Sequence, residues 1–188
     1  TQNLSTSHSL RISAFNTVSI LTGTGYSTAS FDSWGPLALT IFFIIMFIGG
    51  CAGSTTCGIK IFRIKVLYET AAAQIRRLVQ PHGIFIPYYN RSPITDEVAM
   101  SVMSFFFFYV LVFIILALGL SALGLDFLTA LSGAATAISN VGPGLGPVIG
   151  PDGNFATLPD SAKWLLSAGM LLGRLELFTI LVLFAPAF

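Results

Sequence analysis

Apolar residues in this chain come in runs of very different lengths. Residues 98–125 are apolar apart from serines and glycines. At about 1.5 Å per residue a helix of that length crosses the ~30 Å hydrocarbon core of a bilayer, so the run predicts a spanning helix. Residues 162–188 form a second run long enough to span, with Arg174 and Glu176 inside it. Residues 36–48 would cover only about 20 Å as helix. The stretch GGCAGSTTCG (residues 49–58) follows them before IKIFRIKVLY resumes, which predicts a span broken at bilayer depth.

Two shorter apolar segments, residues 10–21 and 127–138, have the length of re-entrant or interfacial helices rather than spans. Asp126 is a fair N-cap for the second and Ser9 a weaker one for the first. Each runs into a glycine-containing polar stretch, TGTG or SNVGPG, and then after a loop meets a tryptophan, Trp34 or Trp164, that opens a long apolar helix. The order of short helix, glycine loop, tryptophan and long helix therefore occurs twice. An offset of 117 residues lays Gly25 on Gly142, Thr24 on Val141, Gly23 on Asn140 and Thr22 on Ser139, with little identity.

Composition supports the bilayer. Of 188 residues 54% are hydrophobic and only 9% charged, against roughly 25% charged in a soluble domain. Mean hydropathy is +0.84. A net charge of +1 argues against nucleic acid as a partner. Two cysteines without a secreted-scaffold pattern say nothing of an oxidising compartment. A chain opening at Thr1 and stopping inside an apolar run reads as a segment of a longer protein. Six of the nine basic Lys and Arg residues, Lys60, Arg63, Lys65, Arg76, Arg77 and Arg91, lie between the broken span and the next one. That connection is expected to be cytoplasmic and the glycine loops to face outside, with the two tryptophans in the outer aromatic belt.

Backbone inside a membrane must find partners within the protein, so an extended glycine loop at the end of a re-entrant helix is tolerated where it is buried or lines an aqueous cavity. Carbonyls of such a loop can replace the hydration shell of a cation, and the negative ends of the two short helices favour positive charge there. Thr22, Gly23, Thr24 and Gly25, with Ser139, Asn140, Val141 and Gly142, are thus candidate selectivity-filter strands. A tight outer turn with no ion is the other reading of the same spacing. It goes with a structural or receptor-like membrane subunit whose glycine loops are extracellular turns.

Arg174 inside an apolar run costs about 2.5–3.5 kcal/mol on insertion scales, so it should face protein or a water-filled cavity. Glu176 lies on another helix face and is a poor local partner. Gly53 and Gly58 have the spacing of a phosphate loop, but Ile59 stands where the lysine belongs and no strand precedes. A flexible, cavity-lining interruption explains Gly49, Gly50, Cys51, Ala52, Gly53, Ser54, Thr55, Thr56, Cys57 and Gly58 better. Cys51 and Cys57 lack His or acidic neighbours and read as packing residues. His8 and His82 lie in polar loops. The Asn90-Arg91-Ser92 glycosylation pattern falls on the cytoplasmic connection, and Asn3-Leu4-Ser5 is a second match. No nucleophile, base and orienting group share a pocket, so no enzyme is expected.

FNTVSILTGTGYST, FIGGCAGSTTCGIKIFR, AISNVGPG and GMLLGRLELF, in this order, resemble the last half of a bacterial potassium transporter of the TrkH/KtrB type, nearer the TrkH side of that family. Tyr26 follows Gly25 and Pro143 follows Gly142, so neither loop reads TVGYG as in ordinary potassium channels. The resemblance implies an all-α integral membrane fold of potassium-channel-like helix, pore-loop, helix repeats around one pore. Residues 1–97 would hold the pore loop and broken second helix of repeat three with the cytoplasmic connection, and residues 98–188 all of repeat four. It makes Gly25 and Gly142 filter glycines, residues 49–58 an intramembrane gate, and Arg174 a pore barrier beside it. It further implies a permeant potassium ion, a multi-pass position in the bacterial inner membrane, a homodimer of the full-length protein, and a cytosolic nucleotide-binding regulatory subunit of the TrkA kind.

Overall fold

The computed structural model describes residues 6–175. Six helices carry the fold: α1 (Thr6–Thr22), α2 (Pro36–Phe47), α3 (Ile61–Val79), α4 (Asp96–Ala122), α5 (Phe127–Ser139) and α6 (Asp160–Arg174). Among the described residues α4 alone is long and apolar enough to cross a membrane. It starts two residues before the expected run, because Thr95 caps it by accepting from the Val98 N–H, and it stops at Ala122, three residues early. Asp126 caps α5 as expected, accepting from the Thr129 N–H at 3.2 Å. Ser9 is not a cap; it lies inside α1, which has already begun at Thr6.

Three other expectations are corrected. Trp34 does not open α2: it closes a 3-10 turn, Phe31–Trp34, and Pro36 starts the helix at the position where a missing N–H costs nothing. Trp164 sits within α6 rather than at its start, and His8 is an exposed residue of α1 rather than of a loop. The run 162–188 is not one helix through Arg174, since α6 ends there and Leu175 turns; Glu176 and the rest of the run lie outside the described residues, as does Asn3-Leu4-Ser5. Runs of apolar letters carry no signal for such a turn. The sequence also hid a small hairpin, in which β1 (Tyr88–Tyr89) pairs antiparallel with β2 (Ser92–Pro93). Asn90 and Arg91, both at positive φ, make its two-residue turn, so the Asn90 glycosylation pattern is folded into a hairpin.

Packing centres on α5. Ten of its residues are buried, from Thr129 to Ser139, and it lies against α4, α6 and α2. One cluster joins Leu120, Ala134, Ile138, Ala162 and Leu166. A second joins Ile20, Phe31, Phe42 and Met46 to Ala135, Val141 and Leu145, so the two halves of the chain share a core. Helices α4 and α6 close up through glycine: a Cβ on Gly119 would stand 2.7 Å from Leu165, and one on Gly169 2.8 Å from Leu116. In a membrane, where lipid is as apolar as leucine, such close small-residue contacts hold helices together. The outer flank of α4, with Phe107, Ile115 and Leu118, stays exposed as a lipid-facing side would. Helix α1 packs on α2 and leaves Leu10 and Val18 exposed.

Ala134 has no accessible surface. Ala134→Leu therefore overpacks the site and is expected to cost about 1–3 kcal/mol, read as a lower thermal midpoint of the full-length protein in detergent. Leu118→Ala, on the exposed flank, leaves that midpoint near its starting value.

Candidate functional site

The ends of α1 and α5 are closed in the same way. After α1, the N–H of Gly23 bonds the carbonyl of Ile20 (3.1 Å), and the N–H groups of Thr24 and Gly25 both bond the carbonyl of Ser19 (3.0 and 3.4 Å). After α5, the N–H of Asn140 bonds Ala137 (3.2 Å), Val141 bonds Thr136 (3.1 Å), and Gly142 bonds the Thr136 hydroxyl (3.0 Å). Donors and acceptor residues correspond pair by pair at the 117-residue offset. The consequence is chemical. Amides of both loops turn back to cap helix carbonyls, while among the described residues the carbonyls of Gly23, Thr24, Gly25, Asn140, Val141 and Gly142 accept no hydrogen bond.

The same offset is met in space. A Cβ built on Gly23 would lie 3.5 Å from the carbonyl oxygen of Asn140. One on Gly25 would collide with the Val141 carbonyl, and one on Gly142 would stand 3.2 Å from the Gly25 Cα. The two loops thus run side by side, backbone on backbone. Gly23, Gly25 and Gly142 hold φ of 69°, 74° and 117°, and Asn140 is left-handed at φ 51°. Glycine is needed at Gly25 and Gly142 twice over, for the dihedral and for the approach.

Polar side chains of the short helices brace the loops, and sequence reading missed them. Fully buried Asn16 accepts from the Thr28 N–H at 3.1 Å and donates to the Thr28 hydroxyl at 3.1 Å. Fully buried Ser132 accepts from the Leu145 N–H at 3.0 Å. Thr28 and Leu145 again differ by 117 residues. Tyr109 of α4 shares a 2.7 Å hydrogen bond with Ser139, and the Asn140 side chain donates to the Met170 carbonyl of α6 at 2.9 Å. Both helices carry several other polar residues, so the sequence offered no signal that singled out Asn16 and Ser132.

Residues 49–58 form a loop whose neck is shut by a parallel bridge, Gly49 N–H to the Ile59 carbonyl and Ile59 N–H to the Phe47 carbonyl, both 2.9 Å. A helix, not a strand, precedes Gly53 and Gly58, so the phosphate-loop spacing has no phosphate-loop context. Cys51 and Cys57 are free; Cys51, Ala52 and Gly53 are exposed. Thr56 reaches the first glycine loop, its methyl 3.7 Å from where a Gly23 Cβ would stand. On the other side Arg174, exposed at the end of α6, donates from Nη1 to the Thr55 carbonyl at 2.7 Å and to the Cys57 sulfur at 3.7 Å. The preceding Gly173 abuts the end of α5, where a Cβ would collide with the Ile138 carbonyl and stand 3.0 Å from the Asn140 side-chain nitrogen of the second glycine loop. Loop residues 54–58, Lys60, Arg63, Phe105, Tyr109 and Arg174 surround a cavity of about 230 Å³. Lys65 pairs with Glu69 at 2.6 Å on the exposed side of α3, away from this lining.

The family described as "TrkH: Cation transport protein" matches residues 2–187. The chain is 55% identical over 174 residues to the Trk system potassium uptake protein TrkI of Halomonas elongata, covering 93% of this chain and 35% of that protein. It is 40% identical over 175 residues to the Trk system potassium uptake protein TrkH of Escherichia coli, again 93% and 35%. The crystal structure of the potassium transporter TrkH from Vibrio parahaemolyticus superposes with a TM-score of 0.85 at 40% identity, covering 94% of this chain and 37% of that one. The chain thus spans little more than a third of the length of these relatives. Such relatives are multi-pass proteins of the bacterial inner membrane, and with a family match over nearly its whole length this chain belongs to the TrkH family of cation transport proteins.

Proposed function

We propose that this chain supplies two of the four quadrants of a potassium pore, with residues 1–97 in the third repeat and residues 98–188 forming the fourth. The observation that carries this reading is the doubled closure of α1 and α5, which spends the amides of both glycine loops on acceptors of the preceding helix and leaves two adjacent rows of carbonyl oxygens unbonded among the described residues. Unbonded carbonyls at bilayer depth are costly unless a cation or water meets them. Thr22, Gly23, Thr24 and Gly25 with Ser139, Asn140, Val141 and Gly142 are the filter strands, and potassium is the substrate, moving passively down its electrochemical gradient. Plain outward turns in a structural or receptor-like subunit would give two loops no reason to meet backbone to backbone.

Residues 49–58 are the gate. They lie between the first glycine loop and Arg174, and the arginine bars the path twice: its charge repels the permeant ion, and its Nη1 holds the loop through the Thr55 carbonyl. The full-length protein is a homodimer whose state is set by a cytosolic nucleotide-binding partner, as the resemblance to transporters of the TrkH/KtrB type implies.

Flux of potassium and sodium into liposomes containing the full-length protein tests these assignments. Gly25→Ser and Gly142→Ser place an L-residue in left-handed backbone, a strain of about 1–2 kcal/mol before any collision. Each is expected to cut potassium flux, or its preference over sodium, by roughly tenfold; unchanged flux and selectivity in both variants would remove the filter assignment.

Arg174 is exposed, so its hydrogen bond to the Thr55 carbonyl is worth about 0.5–1.5 kcal/mol. Arg174→Ala is therefore expected to raise potassium flux per inserted protein, by roughly tenfold at most. Arg174→Lys, which keeps the charge, raises it less. A stably inserted Arg174→Ala protein with wild-type or reduced flux would end the barrier role.

A further inference from the structure

The strand leaving the second glycine loop has an acceptor for every amide N–H it owns. Val141 and Gly142 donate to Thr136, Gly144 to the Ile149 carbonyl at 2.7 Å, and Leu145 to the Ser132 hydroxyl at 3.0 Å, while Pro143 has no N–H. These acceptors all belong to α5 or to the loop itself. Gly146 differs. Its N–H donates to Oδ2 of Asp32, 2.9 Å away and 114 residues earlier in the chain. At the 117-residue offset its counterpart is Ala29, whose N–H makes no such bond among the described residues. The tie therefore breaks the pseudo-symmetry of the two halves.

Asp32 is firmly mounted on the first half. It follows Phe31, which is fully buried and stacked on Phe42 of α2 with ring centroids 4.2 Å apart. The second half is shaped to receive it: a Cβ at Gly150 would collide with Asp32 Oδ2. Yet the arrangement is expensive. Oδ1 of Asp32 is buried with no hydrogen-bond partner among the described residues. An asparagine would offer Gly146 the same acceptor without a charge to bury, whereas a carboxylate makes a shorter and stronger bond to an N–H.

We infer that Asp32 is a positioning residue for the ion path: its carboxylate clasps the Gly146 N–H and so sets where the carbonyls of residues 139–142 stand relative to those of residues 22–25. This rests on the pore reading of the two loops. It assigns selectivity in part to a residue that touches no ion.

The electrostatics give the clasp a signature. Burial holds the Asp32 carboxyl above its ordinary value, the Gly146 bond opposes that, and the Asp152 charge adds to the rise. Helix α2 beneath it bears no titratable group, and residues 142–153 contribute Asp152 alone. A raised carboxyl value means that the fold disfavours the ionised form. Ionised Asp32 therefore subtracts stability, which returns as pH falls and the group protonates. Protonation also takes away the charged acceptor, so stability and positioning move in opposite directions.

The test measures potassium and sodium flux per inserted full-length protein in liposomes, at neutral and acidic external pH, together with thermal midpoints in detergent. Asp32→Asn is expected to keep or raise the midpoint while lowering the potassium-to-sodium ratio several-fold. The wild-type ratio falls on external acidification, and that of Asp32→Asn stays flat. The inference is overturned by an Asp32→Asn protein with a wild-type ratio. A ratio that falls only together with the midpoint overturns it too, as does reduced flux at low potassium with the ratio intact, which would mark simple attraction of cations by the charge. Should Asp32→Asn fail to insert, a wild-type ratio independent of external pH overturns it. Gly142→Ser run in parallel separates the failures: if it lowers the ratio while Asp32→Asn does not, the clasp alone falls, and if neither does, the pore reading falls with it.

Discussion

Hydrocarbon offers backbone groups no water, so a helix that stops inside a bilayer must close its last carbonyls with donors from its own chain. On the pore reading proposed above, much of this fold follows from how α1 and α5 meet that demand. Beside the hydroxyls of Thr22 and Thr24, the donors used are the amides of the next few residues, and turning them back toward the helix requires left-handed or otherwise glycine-like backbone at Gly23, Gly25, Asn140 and Gly142. Once amides face the helix, the carbonyls of the same peptides face away from it. A solution to the problem of ending a helix thereby yields a row of acceptors, and two such rows lie side by side.

The demand propagates outward. Helix α5 presents four buried polar side chains, Thr129, Ser132, Thr136 and Ser139; three of them serve the loop or a neighbour, while the Thr129 hydroxyl has no hydrogen-bond partner among the described residues. Thr136 and Ser132 serve the loop, and Ser139 meets Tyr109. Dense packing of α4 and α6 around these groups needs small residues, and Gly119, Gly169 and Gly173 supply them. Glycines that look alike in the sequence thus do three jobs: dihedral freedom in the loops, backbone approach between loops, and helix contact elsewhere.

What the sequence made legible was local. Run lengths separated α4 from α2 and α5, and glycine and proline marked the loops; the 117-residue offset came from aligning those marks. It turned out to govern hydrogen bonds as well, because identical backbone closure needs similar spacing and not identical side chains. Unreadable features had partners far off or signals too short. Asn16 bonds a residue 12 positions away and Asp32 one 114 positions away, and no periodicity encodes such pairs. Two-residue strands leave no alternation, and a helix end at Arg174 leaves no break in an apolar run.

Taken together, the long-range polar ties draw a circuit. The first loop touches residues 49–58 through Thr56, those residues accept from Arg174 through Thr55, Gly173 and Met170 hold α6 to the second loop, and Asp32 returns from that loop to the first half. Its links are unequal. Phe31 on Phe42 and Gly173 on Ile138 are close-packed contacts that cannot slide without repacking. The link at residues 49–58 has exposed Cys51, Ala52 and Gly53, a neck of three backbone hydrogen bonds, and one arginine donor on its far side. Segments with few buried contacts open at the lowest free energy. Residues 49–58 are therefore the link expected to open first, with the glycine loops keeping their register, which is the division of labour that the proposed gate beneath a filter requires.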